Sequence, residues 1–447
     1  MTAARAGAGS RSPSGHRIEA LVSLGGAALI ALTCAADRPR AAMAVAAAPP
    51  TTLIEPVAPG GPARTRLHAP WANRMAWRES GAAQALVDML ARASAEGLDP
   101  SHYAVEPLRA RLRQRSVDAG LDLALSRALL SYLHDLRTPT RERTNYVDAE
   151  LAPARVIDEA LQASATAGTP RDRLASLHRM HPLYEGLRAA LADYRTTGAH
   201  PSQLPGPAYE QRLLLNMDRL RMLPADPDRR HVLVDTASAR LWLYEGGVPV
   251  DSMRVIVGKR RMQTPPLAGL IRFAVLRPYW NLPPDLARER AARVVRDGTD
   301  FLRRDRMEVL SGWGTDARIL DPVEVNWLAV ASGVQAIRMR QLPGPENMMG
   351  AVKFMLPNRL GIYLHDTPDK ASFTRQDRRL SSGCVRVEDA RRLFLWLLGR
   401  AAPTGAGTAE QKVELSRPVP VYIVHLTALP EGGEIRLQQD AYRRDRT

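Results

Sequence analysis

The chain changes its hydrophobic rhythm once, and the change divides it. From about Trp71 to Arg195, apolar residues recur at the three-to-four-residue spacing of one helix face. Ala82 to Ala95 (AAQALVDMLARASA) carries this pattern and stops near Gly97, and Leu121 to Leu136 (LDLALSRALLSYLHDL) repeats it. Leu174 to Tyr194 continues it with an interruption at Pro182, which has no N–H to give a helix ladder. His134 falls inside the second run and reads as a core or boundary histidine. From His231 the period becomes two. HVLVDT, ARLWLYEGG and VPVDSMRVIVGK read as a meander with Gly246-Gly247 as a hairpin turn. One further helix is marked by Pro284 in its first turn, Asp285 to Arg296 as its body and Gly298 as its stop. Short strands at Val421 to Leu426 and Glu434 to Leu437 close the chain. The expectation is an α+β protein: a helical N-terminal region, then a mostly β domain with a partly helical insertion.

The β half is organised around Gly361 to Asp389. Ile362 and Leu364 alternate with Tyr363 and His365, so the aliphatic pair takes one face and the Tyr–His pair the other. Ser381-Ser382-Gly383-Cys384 follows, then Val385, Arg386 and Val387. Glu388 and Asp389 sit where acids favour a helix start, ahead of the apolar run Leu393 to Leu398. A cysteine on a Gly turn and a histidine on a neighbouring strand are the parts of a thiol nucleophile and its base.

At 447 residues the chain exceeds one core and predicts two or three domains. A net charge of +15 comes almost wholly from arginine, since Lys259, Lys353, Lys370 and Lys412 are the only lysines. That charge suits an anionic partner such as a membrane or an acidic wall. The arginines are scattered and no nucleic-acid motif accompanies them, so nucleic acid is not expected. Arg5, Arg11 and Arg17 precede the largely apolar stretch Ala20 to Ala36, with Ala-rich sequence at Ala41 to Ala48. This is the layout of an export signal, either removed or kept as a membrane anchor. Cys34 fits a lipidation site poorly. No other stretch is apolar enough to span a bilayer. With the signal gone, Cys384 is the sole cysteine, which rules out an internal disulfide and favours a reactive thiol.

The His365-to-Cys384 stretch resembles the YkuD-type L,D-transpeptidases, whose signature is a His followed within about twenty residues by Ser-His-Gly-Cys. Here the separation is 19 positions, and Ser382 stands where many members carry a second His. The larger YcbB-like branch accepts Ser there. Gly97-Leu98-Asp99-Pro100 with Tyr103, and Tyr184 to Tyr194, resemble the helical scaffold domain of that branch. Thr196 to Ala208 is too short for the peptidoglycan-binding domain usual after it, leaving wall recognition to the scaffold, the lid and surface charge. Val255 to Lys259 with Thr264-Pro265, Arg277 to Pro283, Arg340 to Asn347 and Gly350 to Phe354 also match. The resemblance implies a signal or anchor at 1–37, a linker at 38–70 and a scaffold at 71–225. A catalytic domain at 226–428, with a lid at about 279–340, and a tail at 429–447 complete the layout.

For function, the resemblance implies a peptidoglycan L,D-transpeptidase of the cell envelope or periplasm, forming 3→3 cross-links through a cysteine thioester. Cys384 is the nucleophile, and His365 takes its proton and can hold an ion pair with it, giving one imidazole-type ionisation. Gly383 and Cys384 N–H groups with the Tyr363 hydroxyl are oxyanion candidates, and Ser382 is assigned to the loop. Arg386 either pairs with a stem carboxylate or holds the loop; Trp280, Arg340 and Asn347 are further substrate-binding candidates. Stem peptides are the expected partners, with other wall-synthesis proteins and an N-terminal membrane tether as further candidates; no cofactor or metal is implied. Carbapenems are expected to acylate Cys384. Attachment of a lipoprotein by the same chemistry, non-catalytic wall binding, and a cysteine peptidase or amidase, disfavoured because His365 precedes Cys384, are the alternatives.

Overall fold

The computed structural model describes residues 77–445 except 79–80, 115–116, 165–167, 225, 227, 315 and 403–409. The expected signal, the linker and the start of the helical region at Trp71 lie outside the described residues. The helical half comprises α1 (Ala82–Ala91), α2 (Val105–Gln114), α3 (Ala119–Arg137), α4 (Pro153–Ser164), α5 (Pro170–His178), α6 (Pro182–Thr197) and α7 (Gly206–Leu220). Their ends follow local chemistry. Asp118 caps α3 through the Leu121 N–H, Thr169 and Asp172 form a capping box on α5, and Pro182 opens α6 at its first position. Gly97 and Gly198 end their segments with positive φ, 66° and 75°. Leu86, Leu90, Leu125, Tyr132, Leu187 and Leu213 are fully buried among these helices. His134 faces solvent rather than the core or boundary position expected of it, because it sits between the buried stripe positions Leu133 and Leu136 on the outer side of α3.

A short strand, β1 (Asn145–Tyr146), leads to the meander β2 (His231–Asp235), β3 (Arg240–Glu245) and β4 (Val248–Gly258), then β5 (Leu267–Leu276). Gly246 and Gly247 make the β3–β4 turn at φ 56° and 77°, values that a two-residue hairpin needs. The insertion follows: β6 (Trp280–Asn281), α8 (Pro284–Asp297), α9 (Asp300–Arg304), β7 (Met307–Leu310), β8 (Ile319–Leu320), α10 (Trp327–Ala331) and β9 (Arg338–Gln341). It builds its own sheet, in the order β6-β9-β7-β8, and its own core around Trp280, Ala291, Phe301, Trp327 and Met339. Last come β10 (Val352–Met355), β11 (Leu364–His365), β12 (Arg379–Ser381), β13 (Val385–Val387), α11 (Ala390–Leu398), β14 (Gln411–Val424), β15 (Ala428–Glu431) and β16 (Glu434–Leu437).

The main pairing path runs β5-β10-β11-β13-β4-β3-β2-β14, and β14 also pairs with β5, so the sheet closes on itself. Closure removes exposed edges. Alternation buries both faces. Val232, Val234, Val421 and Ile423 point into the barrel core, while Leu233, Tyr422 and Val424 join the helical core. The β half and the helices are thus packed through the sheet itself. The closing strand is 14 residues long rather than the short one expected at Val421 to Leu426, because Pro418 and Pro420 mask its apolar pattern in sequence. The residues expected as a tail are also tied in. β15 pairs with β16, Leu429 joins the helical core, Tyr442 enters the barrel core, and Asp445 pairs with Arg219 at 2.8 Å.

Candidate active site

β11 and β13 lie parallel, with Leu364 opposite Val385 and His365 opposite Arg386. Partners in register point to the same side of a sheet. Leu364, Val385 and Val387 enter the barrel core, which sends His365 and Arg386 to the opposite face. Tyr363 and Cys384 extend the pattern by one step, joined by the Val385 N–H donating to Tyr363 O at 3.1 Å. The Tyr363 and His365 rings stand 5.7 Å apart, edge to face. The alternation read from the sequence therefore gives one patch of four side chains: Tyr363, His365, Cys384 and Arg386.

The cysteine loop is fixed by bonds to distant residues. The Ser381 hydroxyl donates to Cys384 O at 2.6 Å and accepts from the Gly383 N–H at 3.1 Å. The Thr264 hydroxyl donates to Gly383 O at 2.7 Å and accepts from the Gly258 N–H at 2.9 Å. Gly383 adopts φ 122°, a conformation that strains any residue with a side chain, and a Cβ there would also press on Ile362 Cδ1 at 3.3 Å. The bond to Ser381 uses the Gly383 N–H. That corrects its assignment as an oxyanion donor, leaving the Cys384 N–H and the Tyr363 hydroxyl. Ser382 is exposed beside the cavity and makes no hydrogen bond among the described residues.

His365 is buried, and its Nδ1 meets Asp366 O at 2.5 Å. A carbonyl only accepts, so Nδ1 carries the proton and Nε2 is left as the basic nitrogen. The Asp366 carboxylate turns away, accepting from the Ala351 N–H at 2.8 Å and from Lys370 Nζ at 2.6 Å. Burial first and the Arg386 charge second push His365 down to about 3. Burial pushes the Cys384 thiol up, against the lowering effect of Tyr363, Arg386 and Lys353. Each group resists charging before substrate arrives. Burial thus opposes the ion pair expected from sequence, since it disfavours the charged form of both ring and thiol. The thiol donates to Gly361 O at 3.3 Å, and no hydrogen bond joins it to the His365 ring among the described residues.

These groups floor a cavity of about 470 Å³. Trp280, Pro283, Leu286, Met348 and Met349 wall it from the insertion and the segment after it, and Met262 from the β4–β5 loop. Asp285 and Arg359 are its remaining charged lining residues besides Arg386. Among the described residues the Arg386 side chain forms no hydrogen bond or ion pair, and its buried Nε has no partner, which disfavours the loop-holding role and leaves the guanidinium available to a ligand. Arg340 and Asn347 are corrected as substrate-binding candidates, since neither lines the cavity. Arg340 donates to Glu308 at 2.7 Å and stacks 4.3 Å over Tyr279, and Asn347 is buried with Nδ2 on Leu342 O at 2.9 Å. Both shape the insertion. Sequence reasoning passed over Ser381 and Lys353 and placed Thr264 only beside the cleft. Among the described residues no three His, Cys, Asp or Glu side chains gather where they could hold a metal.

Residues 229–423 match the family model described as the YkuD L,D-transpeptidase catalytic domain, and residues 65–191 match a model described as a Scaffold domain. A Haemophilus influenzae protein named "Putative L,D-transpeptidase" is 28% identical over 399 residues, covering 86% of this chain and 78% of that protein. Among solved structures, the Ldtfm–avibactam carbamoyl enzyme aligns at 12% identity and TM-score 0.23, over 45% of this chain and 51% of that one. An L,D-transpeptidase from Mycobacterium smegmatis aligns at 11% identity and TM-score 0.22, over 44% and 58%. The chain thus spans little more than half the length of these two structures.

Proposed function

From the premise that this chain carries a YkuD-type L,D-transpeptidase catalytic domain behind a scaffold domain, we propose that it forms 3→3 cross-links in peptidoglycan through a Cys384 thioester. The observation that carries the reading is the shared patch, where Cys384 and a His365 with its basic Nε2 free lie on the floor of one cavity. His365 Nε2 takes the thiol proton, and the sulfur bonds to the carbonyl carbon of the third residue of a tetrapeptide stem. The Cys384 N–H and the Tyr363 hydroxyl stabilise the oxyanion; one such donor is worth about 3 kcal/mol. The oxyanion collapses, the bond to the terminal D-Ala breaks, and His365 returns the proton to the departing amine. The amine of a second stem then attacks the thioester, forming the new amide and restoring the thiol. Arg386, with a free guanidinium on the same face, receives a stem carboxylate. Trp280 and the methionines supply the apolar wall. Export to the envelope belongs to the same reading, through residues 1–37.

Incubation of purified protein with tetrapeptide-bearing wall fragments, followed by mass spectrometry, tests it. The expected product is a 3→3 dimer with loss of one D-Ala. Tripeptide alone would mean hydrolysis, a product appearing only with an added lipoprotein would mean attachment, and no conversion would mean a binding role.

A further inference from the structure

The catalytic face carries a second cation that the proposed reaction does not yet use. β10 runs antiparallel to β11 with Lys353 opposite His365, so its side chain emerges on the face of the patch, while Val352 and Phe354 enter the barrel core. Lys353 Nζ lies 5.5 Å from the centre of the Tyr363 ring. Lys370 and Lys412 each have a carboxylate at 2.6 Å, whereas Lys353, half-buried, has no hydrogen bond or ion pair among the described residues. Keeping an ammonium there without a bonded partner costs desolvation. The anion that would compensate it is the one that forms during the reaction.

We infer that Lys353 is a positioning residue for acyl transfer, steadying the Tyr363 ring so that its hydroxyl faces Cys384 and holding positive charge against the thiolate and the tetrahedral oxyanion. The inference rests on the transpeptidase reading above. A cation over an aromatic face is attracted to it, and its charge is felt strongly where water is excluded. Tyr363 and His365 from β11 and Arg386 from β13 line the cavity with the thiol, and Lys353 from β10 lies against the Tyr363 ring outside that lining, acting on the thiol through its charge. Asp285 and Arg359 line the same cavity, Asp369 opposes Arg386, and Glu410 opposes Lys353.

The test uses full-length protein with Lys353→Met and Lys353→Arg, and Lys353→Gln should the Met variant fail to fold. Iodoacetamide alkylation is followed against pH on the peptide carrying Cys384, because Cys34 also reacts. Acylation by a tetrapeptide donor is measured alongside. Removing the charge is expected to raise the apparent thiol pKa by about one unit and to slow acylation about tenfold to a hundredfold. Arg is expected to restore both to within about threefold of wild type. An unshifted alkylation profile in the neutral variants, or an Arg variant as impaired as Met, overturns the inference. Wild-type protein that acylates normally beside an unshifted Met variant overturns only this role. Wild-type protein that never acylates, or Cys384→Ala protein that does, overturns the transpeptidase reading and this role with it.

Discussion

Both halves of the molecule bury charge, and they treat it in opposite ways. In the helical half the buried carboxylates pair with cations, and Arg137, which has no carboxylate, gives its Nη2 to Leu177 O and Arg179 O. Asp218 receives the Thr140 N–H at 3.0 Å and the Arg141 N–H at 2.9 Å, and pairs with Arg221 at 2.9 Å. Arg219 reaches Glu142 at 2.9 Å and Asp445 at 2.8 Å, and Glu96 meets His178 and Arg188 at 3.0 Å each. On the catalytic face, the Arg386 and Lys353 side chains have no bonded partner among the described residues, and His365 leaves Nε2 free there. Partnered charge fastens backbone to backbone. Charge left without a partner is available to a ligand or to an anion formed in passing, which is the signature of chemistry rather than of architecture.

The comparison breaks most visibly at His365. His365→Gln is expected to lower acyl transfer by about a thousandfold, the scale of a lost general base, with the thermal midpoint held. Because burial and Arg386 hold the ring near 3, it stays neutral, and able to accept a proton, well below the usual imidazole range. The kcat/KM profile of the free enzyme should therefore show no acid limb near pH 6.5, where the sequence alone placed one. An acid limb at pH 6.5 that disappears in His365→Gln would show that the ring titrates normally.

Asp218→Asn probes the other side. Losing the partner of buried Arg221 is expected to destabilise the fold by about 3 kcal/mol, read as a lower denaturant midpoint. The alkylation profile of Cys384 should not move. A shifted profile at preserved stability would mean that the helical network tunes the site. Ser382→Ala is the smallest change. Its hydroxyl is exposed and has no hydrogen bond among the described residues, so at most about tenfold, near 1.4 kcal/mol, is expected in acylation. A loss of several thousandfold with the fold retained would make Ser382 part of the machinery.

What was legible in the sequence was local. Alternation of Ile362 and Leu364 with Tyr363 and His365 gave the two faces correctly, and Pro284 and Gly298 bracketed α8 within a residue. What was hidden joins distant positions. The Thr264–Gly383 bond spans 119 residues, and no periodicity announces it. Lys353 reaches the site only because β10 pairs with β11 in one register. Arg340 and Asn347 were misassigned because a polar side chain beside a cleft looks the same in sequence whether its partner is a ligand or, as here, Glu308 and the backbone of the insertion.

The central claim is that the Cys384 Sγ is the atom to which the stem is transferred, and intact-protein mass spectrometry during turnover of a tetrapeptide donor tests it most directly. The account predicts an adduct equal to the donor less one D-Ala, mapped to Cys384, formed in Cys34→Ala protein and absent from Cys384→Ala. Cross-linked product formed by Cys384→Ala protein, or an acyl group mapped to any other residue, would contradict it.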